Sequence, residues 1–462
     1  MSNITIDFKI DKLGPSKIDS PIHLTNRRNN LIADYVEDDD LVIYDVDCQV
    51  KGDKAERTFR RSQMLEKAGP REKIFFDPTK VCAGIVTCGG LCPGLNDVIR
   101  ALVMTLWYQY GVRNILGIPN GYCGFLPEYH FSPIKLTPDI VTHIHQQGGT
   151  ILGSSRGGSD TSRIVDAIEA LNLNVLFTIG GDGTQRGALA IAEEAKRRNR
   201  VLAVVGIPKT IDNDLSYVVR SFGFETAVSR AADAVCAAHT EATAAINGIG
   251  LVKLMGRESG FIAAHTALAT NDANFVLVPE VPFDIDGPNG LWEHVKRRLN
   301  SRNHAVIIVA EGAGQNILEA TDAHDASGNK VFNDIGVYVR DTLKSLAKRD
   351  SMTVNIKYID PSYIIRGAAA NPNDSIYCAR LGANAVHAAM SGRTGLLISM
   401  LNDRYVHVPI KLAVAQRHLI DPDGDLWRDI LISTGQPPLM LNSTTTSSIS
   451  KIVDDMAAKR NP

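Results

Sequence analysis

The chain has 462 residues, 44% of them hydrophobic and 22% charged. At roughly 100 to 200 residues per domain, that is enough apolar mass for about two to four packed cores, which excludes wholesale disorder. Lys plus Arg total 49 and Asp plus Glu 51, a net charge of -2 that lacks the basic excess of a dedicated nucleic-acid binder.

No stretch reaches the roughly 18 apolar residues of a membrane span, and the first residues, MSNITIDFKIDKL, lack an apolar signal core, so a cytoplasmic protein with no membrane partner is expected. Seven cysteines, an odd number without zinc-finger spacing, read as buried reduced thiols rather than a disulfide or metal framework. Residues 1–80 are polar and read as an added, partly ordered segment. It holds a solvated acidic run, Glu37 to Asp40, a basic cluster, Arg57 to Arg61, and an exposed-edge strand in LVIYDVDCQV.

From Val81 the pattern changes. VCAGIVTCGG, NVLFTIGGDG, VLAVVGIP and HAVIIVAEG each read as a buried strand ending where glycine permits a sharp turn. Helical patterns at 185–199 and 224–245 separate such strands, which predicts parallel sheets with helices on both faces and ligands at the carboxyl ends of the strands. From about Asp421 an amphipathic stretch, LWRDILIST, precedes a Ser/Thr-rich linker and a short helix. Trp292 and Trp427 read as core anchors; His143, His145, His239 and His265 read as packing or exposed residues rather than metal ligands.

The chemistry concentrates in glycine-rich strand ends. Gly89-Gly90-Leu91-Cys92-Pro93-Gly94, Gly148 to Gly157 and Gly180-Gly181-Asp182-Gly183-Thr184 each could be a tight turn. Together, with Arg156 in one and Asp182 in another, they favour phosphate held by backbone N–H groups at helix N-termini. No GxxxxGK[ST] occurs, and GGDGTQRG lacks dinucleotide-fingerprint spacing. Gly153-Ser154-Ser155-Arg156-Gly157 matches G-x-S-x-G, but the polar, glycine-broken HIHQQGGTIL before it is no nucleophile-elbow strand. Pro208-Lys209-Thr210-Ile211-Asp212-Asn213-Asp214 follows an apolar strand. A solvated loop could carry those charges, but with Asp182 they suit phosphoryl transfer, supplying a base for a hydroxyl and hard ligands for magnesium.

CGGLCPGLN, GGTILGSSRG, IGGDGTQRGA, PKTIDNDL, KLMGRESG, VAEGAG and DPSYIIRG occur in this order and strongly resemble the phosphofructokinase family over about residues 70–430. The likeness is to its long-chain ATP-dependent subgroup, related to the pyrophosphate-dependent enzymes. The resemblance implies an α/β fold with two doubly wound, mainly parallel-sheet domains, the active site in the cleft between them, and an added N-terminal segment. Residues 81–225, completed by about 367–415, would be the nucleotide-binding domain, 226–366 the sugar-phosphate domain, and 416–462 a segment packing across the core or a partner subunit.

The implied reaction is glycolytic transfer of the γ-phosphoryl group of MgATP to the 1-hydroxyl of fructose 6-phosphate, in a homotetramer. By the family pattern Asp212 is the base, Asp182 holds Mg2+, and Thr210, Arg156, Lys209 and Asp214 complete the catalytic set. Gly90, Arg156, Gly157, Gly181, Asp182, Gly183, Thr184 and Gly187 would meet ATP. Thr210, Ile211, Asp212, Met255, Gly256, Arg257, Glu311, Lys357, Tyr363 and Arg366 would meet the sugar phosphate, for which forked arginine donors suit the phosphate better than lysine. The bland alternative for Arg257, taken without the family match, is a surface ion pair with Glu258.

Two positions bear on the donor. Pyrophosphate users of the family usually carry aspartate at the place of Gly183, where it would collide with the α-phosphate of ATP, whereas Lys209 is typical of pyrophosphate users. Sterics can exclude a nucleotide while a cation only adds attraction, so ATP is favoured. A pyrophosphate-dependent enzyme and a catalytically silent nucleotide-sensing subunit are the alternatives. Gly248 and Lys357 stand where short bacterial members have arginines, which puts the intersubunit part of the sugar site and bacterial-type allosteric control in doubt.

Overall fold

The computed structural model describes residues 7–27, 29–44, 63–157, 160–318 and 332–443. Two compact units emerge: the first takes Met1–Thr210, Leu215–Phe222 and Ala369–Gln416, the second Ile211–Asp214, Gly223–Ala368 and Arg417–Pro462.

The first unit is built on a seven-stranded sheet in the order Arg404–Pro409, Leu396–Leu401, Ala203–Pro208, Val175–Gly180, Cys82–Thr87, Asn114–Ile118, Ile134–Lys135. Its inner pairings are parallel and its two edge pairings antiparallel. VLFTIG and AVVGIP are buried at every position. Strands covered on both faces read as such continuous apolar runs. Helices Leu95–Met104 and Pro372–Met390 pack on each other, as do Thr161–Ala170 and Asp182–Arg197. Asp160 caps Thr161–Ala170 by accepting from Ser162 and Arg163 N–H. One apolar core joins Val86, Leu176, Val204 and Leu397 from the sheet to Ile164, Ile168 and Ile191 from helices.

The second unit has a four-stranded parallel sheet ordered Phe275–Leu277, His304–Ala310, Gly248–Leu254, Asn355–Ile359. Helices Phe224–Thr243, Phe261–Thr270, Leu291–Arg302 and Ile335–Arg349 cover it, and Trp292 and Leu343 share one apolar core with Leu251 and Ile307. Helix Asp425–Thr434 packs on Phe261–Thr270, with Trp427 buried, and the Gln436 side chain then bonds to both the N–H and the carbonyl of Val276. Among the described residues no helix is long and apolar enough to cross a membrane.

The early segment is woven into the first unit. Asp11–Lys12 pairs with Arg393–Thr394, Ile18–Asp19 with Lys73–Ile74, and Leu41–Ile43 with Met64–Glu66. The rest of LVIYDVDCQV after Tyr44, the basic cluster and Cys48 lie outside the described residues.

Glu37, Asp38 and Asp39 are exposed, as expected of a solvated run, but Asp38 also pairs with three cations. Its Oδ1 accepts from Arg393 at 2.6 Å and from Arg71 at 3.2 Å, and its Oδ2 accepts from Lys12 at 2.7 Å. Arg393 is only 2% exposed and also donates to Glu66 at 2.7 Å, so these acids neutralise a guanidinium inside the fold. The six described cysteines are free; Cys88, Cys92, Cys123 and Cys378 are buried, while Cys236 is exposed.

Candidate active site

In the first unit, three adjacent strands deliver three loops to one end of the sheet. Cys82–Thr87 leads into Gly89-Gly90, Val175–Gly180 into Gly181-Asp182, and Ala203–Pro208 into Lys209-Thr210. Gly89 lies at φ +85°, a left-handed conformation that glycine adopts without strain. The buried Lys209 donates its Nζ to the Gly90 carbonyl at 2.7 Å, and its N–H donates to the Gly180 carbonyl at 3.0 Å. Arg156 is exposed, and a Cβ on Gly90 would stand 3.2 Å from its Nη2, so guanidinium and loop backbone lie side by side.

Asp182 opens the 16-residue helix Asp182–Arg197, whose N-terminus presents unpaired N–H groups and positive dipole. Its Oδ2 is ion-paired with Arg186 at 3.0 Å. Gly183 is exposed, and a Cβ placed on it would meet nothing within 4 Å. Gly187 is different: a Cβ there would fall 2.6 Å from the Tyr122 ring, whose hydroxyl donates to the Thr184 carbonyl at 2.7 Å. Gly187 therefore lets Tyr122 pack under the helix. Ser155 donates to the Asn120 carbonyl at 2.6 Å, and no strand precedes it, so the G-x-S-x-G match is no nucleophile elbow.

In the second unit, Asp212 is held from two sides by one loop. Arg257 N–H donates to Asp212 Oδ2 at 3.3 Å, and Ser259 Oγ donates to the Asp212 carbonyl at 2.8 Å. Asp212 Oδ1 is buried and has no hydrogen-bond partner among the described residues. Burial, then the negative charges of Asp214 and Glu311, push the Asp212 carboxyl up to about 7 against the weaker pull of Arg257 N–H and Arg366. Asn213, at φ +57°, turns the chain so that Arg417 reaches Asp214 at 3.5 Å and His418 N–H bonds the Asp214 carbonyl at 2.9 Å.

The holding loop starts where Gly248–Leu254 ends. Gly256 lies at φ +128°, and a Cβ there would be 2.5 Å from the Ser259 carbonyl. The loop closes on Glu280, buried at 2% exposure, whose two oxygens accept from Gly260 N–H at 3.0 and 3.1 Å while Oε1 also takes Ile420 N–H at 3.0 Å. Glu311 follows strand His304–Ala310 and is fixed by its N–H to the Leu254 carbonyl at 2.9 Å. Arg366 donates to Met255 Sδ at 3.2 Å. Arg257 lies over the Phe332 ring at 4.1 Å and only 3.7 Å from Glu258, so the simple ion-pair account does not exhaust it.

Asp212, Asp214, Met255, Gly256, Arg257, Glu311 and Arg366 thus gather in the second unit. Gly90, Arg156, Asp182, Gly183, Lys209 and Thr210 cluster in the first. Two of the named residues stand apart from these contacts: Tyr363 is 88% exposed, and Lys357 is paired with Glu241 at 3.2 Å. Sequence reasoning passed over Gln185, Ser259 and Glu280. Signals existed for each: a glutamine inside IGGDGTQRGA, a serine inside KLMGRESG, and an acid directly after the apolar FVLVP.

A doubly wound α/β sheet whose adjacent strand ends offer glycine-rich loops, a helix N-terminus, lysine and arginine defines a phosphoryl-transfer protein. A family model described as Phosphofructokinase matches residues 82–389. A protein named ATP-dependent 6-phosphofructokinase from Borreliella burgdorferi is 52% identical over 459 residues, covering 96% of this chain and 99% of its own. One of the same name from Trypanosoma cruzi is 46% identical over 428 residues, covering 92% and 87%. The solved structure of a pyrophosphate-dependent phosphofructokinase from Marinobacter aquaeolei superposes with a TM-score of 0.63 over 79% of this chain and 92% of its own, and at 20% identity it shows a shared fold. The chain belongs to the phosphofructokinase family.

Proposed function

We propose that the chain is an ATP-dependent 6-phosphofructokinase: it transfers the γ-phosphoryl group of ATP to the 1-hydroxyl of fructose 6-phosphate, releasing ADP and fructose 1,6-bisphosphate. The observation that carries this reading is the buried Asp212 Oδ1, without a hydrogen-bond partner among the described residues, on a carboxyl raised to about 7, in a chain of this family. A base with a value near the working pH combines adequate ionisation with adequate basicity. As the sugar oxygen attacks the γ-phosphorus, its proton passes to Asp212 and the electron pair of the breaking P–O bond leaves on ADP. Arg257 and Arg366 supply forked donors for the sugar phosphate, and Glu311 accepts from a sugar hydroxyl.

Lys209, Arg156 and the backbone at Gly90 would neutralise the transferring group, with Thr210 beside it, while Gly181, Gly183 and Thr184 line the nucleotide at the helix N-terminus. Magnesium fits the donor chemistry here. Asp182 is a partly exposed hard oxygen ligand at a phosphate-binding helix end, and magnesium takes one or two carboxylates, waters and substrate phosphates rather than a protein cage. When bound, the ion neutralises phosphate oxygens. ATP is favoured over pyrophosphate because the space beside a Gly183 Cβ is open and because relatives about half identical bear the ATP-dependent name. A homotetramer is proposed by analogy with the family alone.

Asp212→Asn tests the assignment of the base. It should cost about 10²- to 10⁴-fold in turnover while nucleotide affinity stays near normal. In the unmodified chain, turnover should rise with pH through about 7 as Asp212 ionises. Near-normal turnover in the variant would remove Asp212 from that role.

A further inference from the structure

Gln185 sits in the first turn of helix Asp182–Arg197, three residues after the proposed magnesium ligand, and its side chain turns inward and is fully buried. Its Nε2 donates to the carbonyls of Gly180 at 3.0 Å, Ile207 at 3.3 Å and Thr178 at 3.4 Å. An amide nitrogen has two hydrogens, so one of them is shared. The orientation is fixed by chemistry: the flipped amide would press its own oxygen against three carbonyl oxygens.

These acceptors lie on two different strands. Thr178 and Gly180 belong to the strand that runs into Gly181-Asp182-Gly183, and Ile207 to the neighbour that runs into Lys209-Thr210. The two loops lie close, since a Cβ on Gly181 would be 3.2 Å from the Lys209 carbonyl. One amide therefore ties together the ends of the strands that carry the nucleotide loop and the Lys209 loop.

Two further observations set this glutamine apart from filler. Its Oε1 is buried without a hydrogen-bond partner among the described residues, a cost that an apolar side chain of similar length would avoid. The neighbouring strand gives way to it at Gly206, where a Cβ would stand 2.1 Å from Gln185 Oε1.

We infer that Gln185 is a positioning residue for phosphoryl transfer, setting the separation of the Asp182 loop from Lys209 through the carbonyls of Gly180 and Ile207, with Gly206 making room for it. Gln185 touches neither nucleotide nor sugar. The inference rests on the proposed ATP-dependent reaction, in which both loops act on the same phosphates. A small misplacement of such groups is expensive in rate, because alignment is what positioned groups contribute.

The test compares the unmodified enzyme with Gln185→Met, which keeps length and removes the donor, and Gly206→Ala, which keeps the amide and displaces it. Thermal melting and circular dichroism establish the folded fraction, and kcat and KM are measured with ATP, magnesium and fructose 6-phosphate. The expected result is a loss of about 10- to 100-fold in kcat per folded chain in both variants, with the KM for fructose 6-phosphate within about two-fold of normal. A purely structural amide would lower the melting temperature and the folded fraction without changing kcat per folded chain, and that result overturns the inference. If Gln185→Met does not fold, Gly206→Ala decides. Should the unmodified chain fail to use ATP, the functional reading falls instead.

Discussion

At Asp212 the surroundings that raise the carboxyl also cost the fold. Between the ordinary value of 3.8 and about 7, the folded chain holds a proton that the unfolded chain has released, so stability falls as pH rises across that window. Asp212→Asn removes the buried charge and should melt higher than the unmodified chain at pH 8. The gap should shrink as pH falls and nearly vanish below pH 4; thermal melting across pH checks it, and equal melting at pH 8 would mean that Asp212 carries no such penalty. At Gly183 the expectation concerns function alone. A side chain there meets open space, so Gly183→Asp should fold as before yet lose most ATP-dependent turnover, its carboxylate repelling the triphosphate. Unchanged kinetics with ATP would contradict the steric account of donor choice.

Among the elements, the early segment is bound by charge as much as by strands. Arg393 donates to Asp38 and Glu66, and the buried His407 lies 3.4 Å from Glu66. Burial alone would raise both acids, but hydrogen bonds and charge from Arg393, with Lys12 at Asp38 and His407 at Glu66, bring Glu66 down to about 2 and Asp38 lower still. Carboxyls depressed in this way contribute stability above their unfolded values, near 4, that is lost as pH falls through the folded ones. Arg393→Met should therefore cost about 3 kcal/mol or more at pH 7, by stranding Glu66, and much less near pH 2. Urea unfolding at both pH values checks this, and an equal cost at both would show that the arginine acts by packing rather than charge.

The elements that could be read from sequence were those with one dominant signal. Val175–Gly180 and His304–Ala310 are dominated by apolar residues, with glycine at the end of the first and two residues beyond the second, so VLFTIG and HAVIIVA announce themselves. Gly248–Leu254 carries Lys253, which is paired with Asp334 and Asp360, and Asn114–Ile118 is short and interrupted by Gly117. The hairpin Leu396–Leu401 to Arg404–Pro409 had a local marker, Asn402-Asp403, now seen at φ +48° and +58° as two consecutive left-handed residues. The ion pairing of Asp38 could not be read from sequence because its cation Arg393 is 355 residues away in the chain.

For the molecule as a whole, the glycine-rich strand-end loops and the acidic loop after Pro208 could be picked out because the residue types that phosphate chemistry calls for stand together there: glycine in the loops, arginine and lysine beside them, and acids in PKTIDND. Gln185, Ser259 and Glu280 carried only the weak signal of their place in a motif or after a strand, because what each does depends on backbone groups brought near by folding. The same chemistry makes donor choice the property on which the account turns, since open space at Gly183 and the cation at Lys209 pull in opposite directions. The most direct measurement is the rate of fructose 1,6-bisphosphate formation from fructose 6-phosphate and magnesium, with ATP and pyrophosphate supplied in separate assays. The account predicts turnover with ATP and little or none with pyrophosphate; turnover with pyrophosphate alone, or with neither donor, would contradict it.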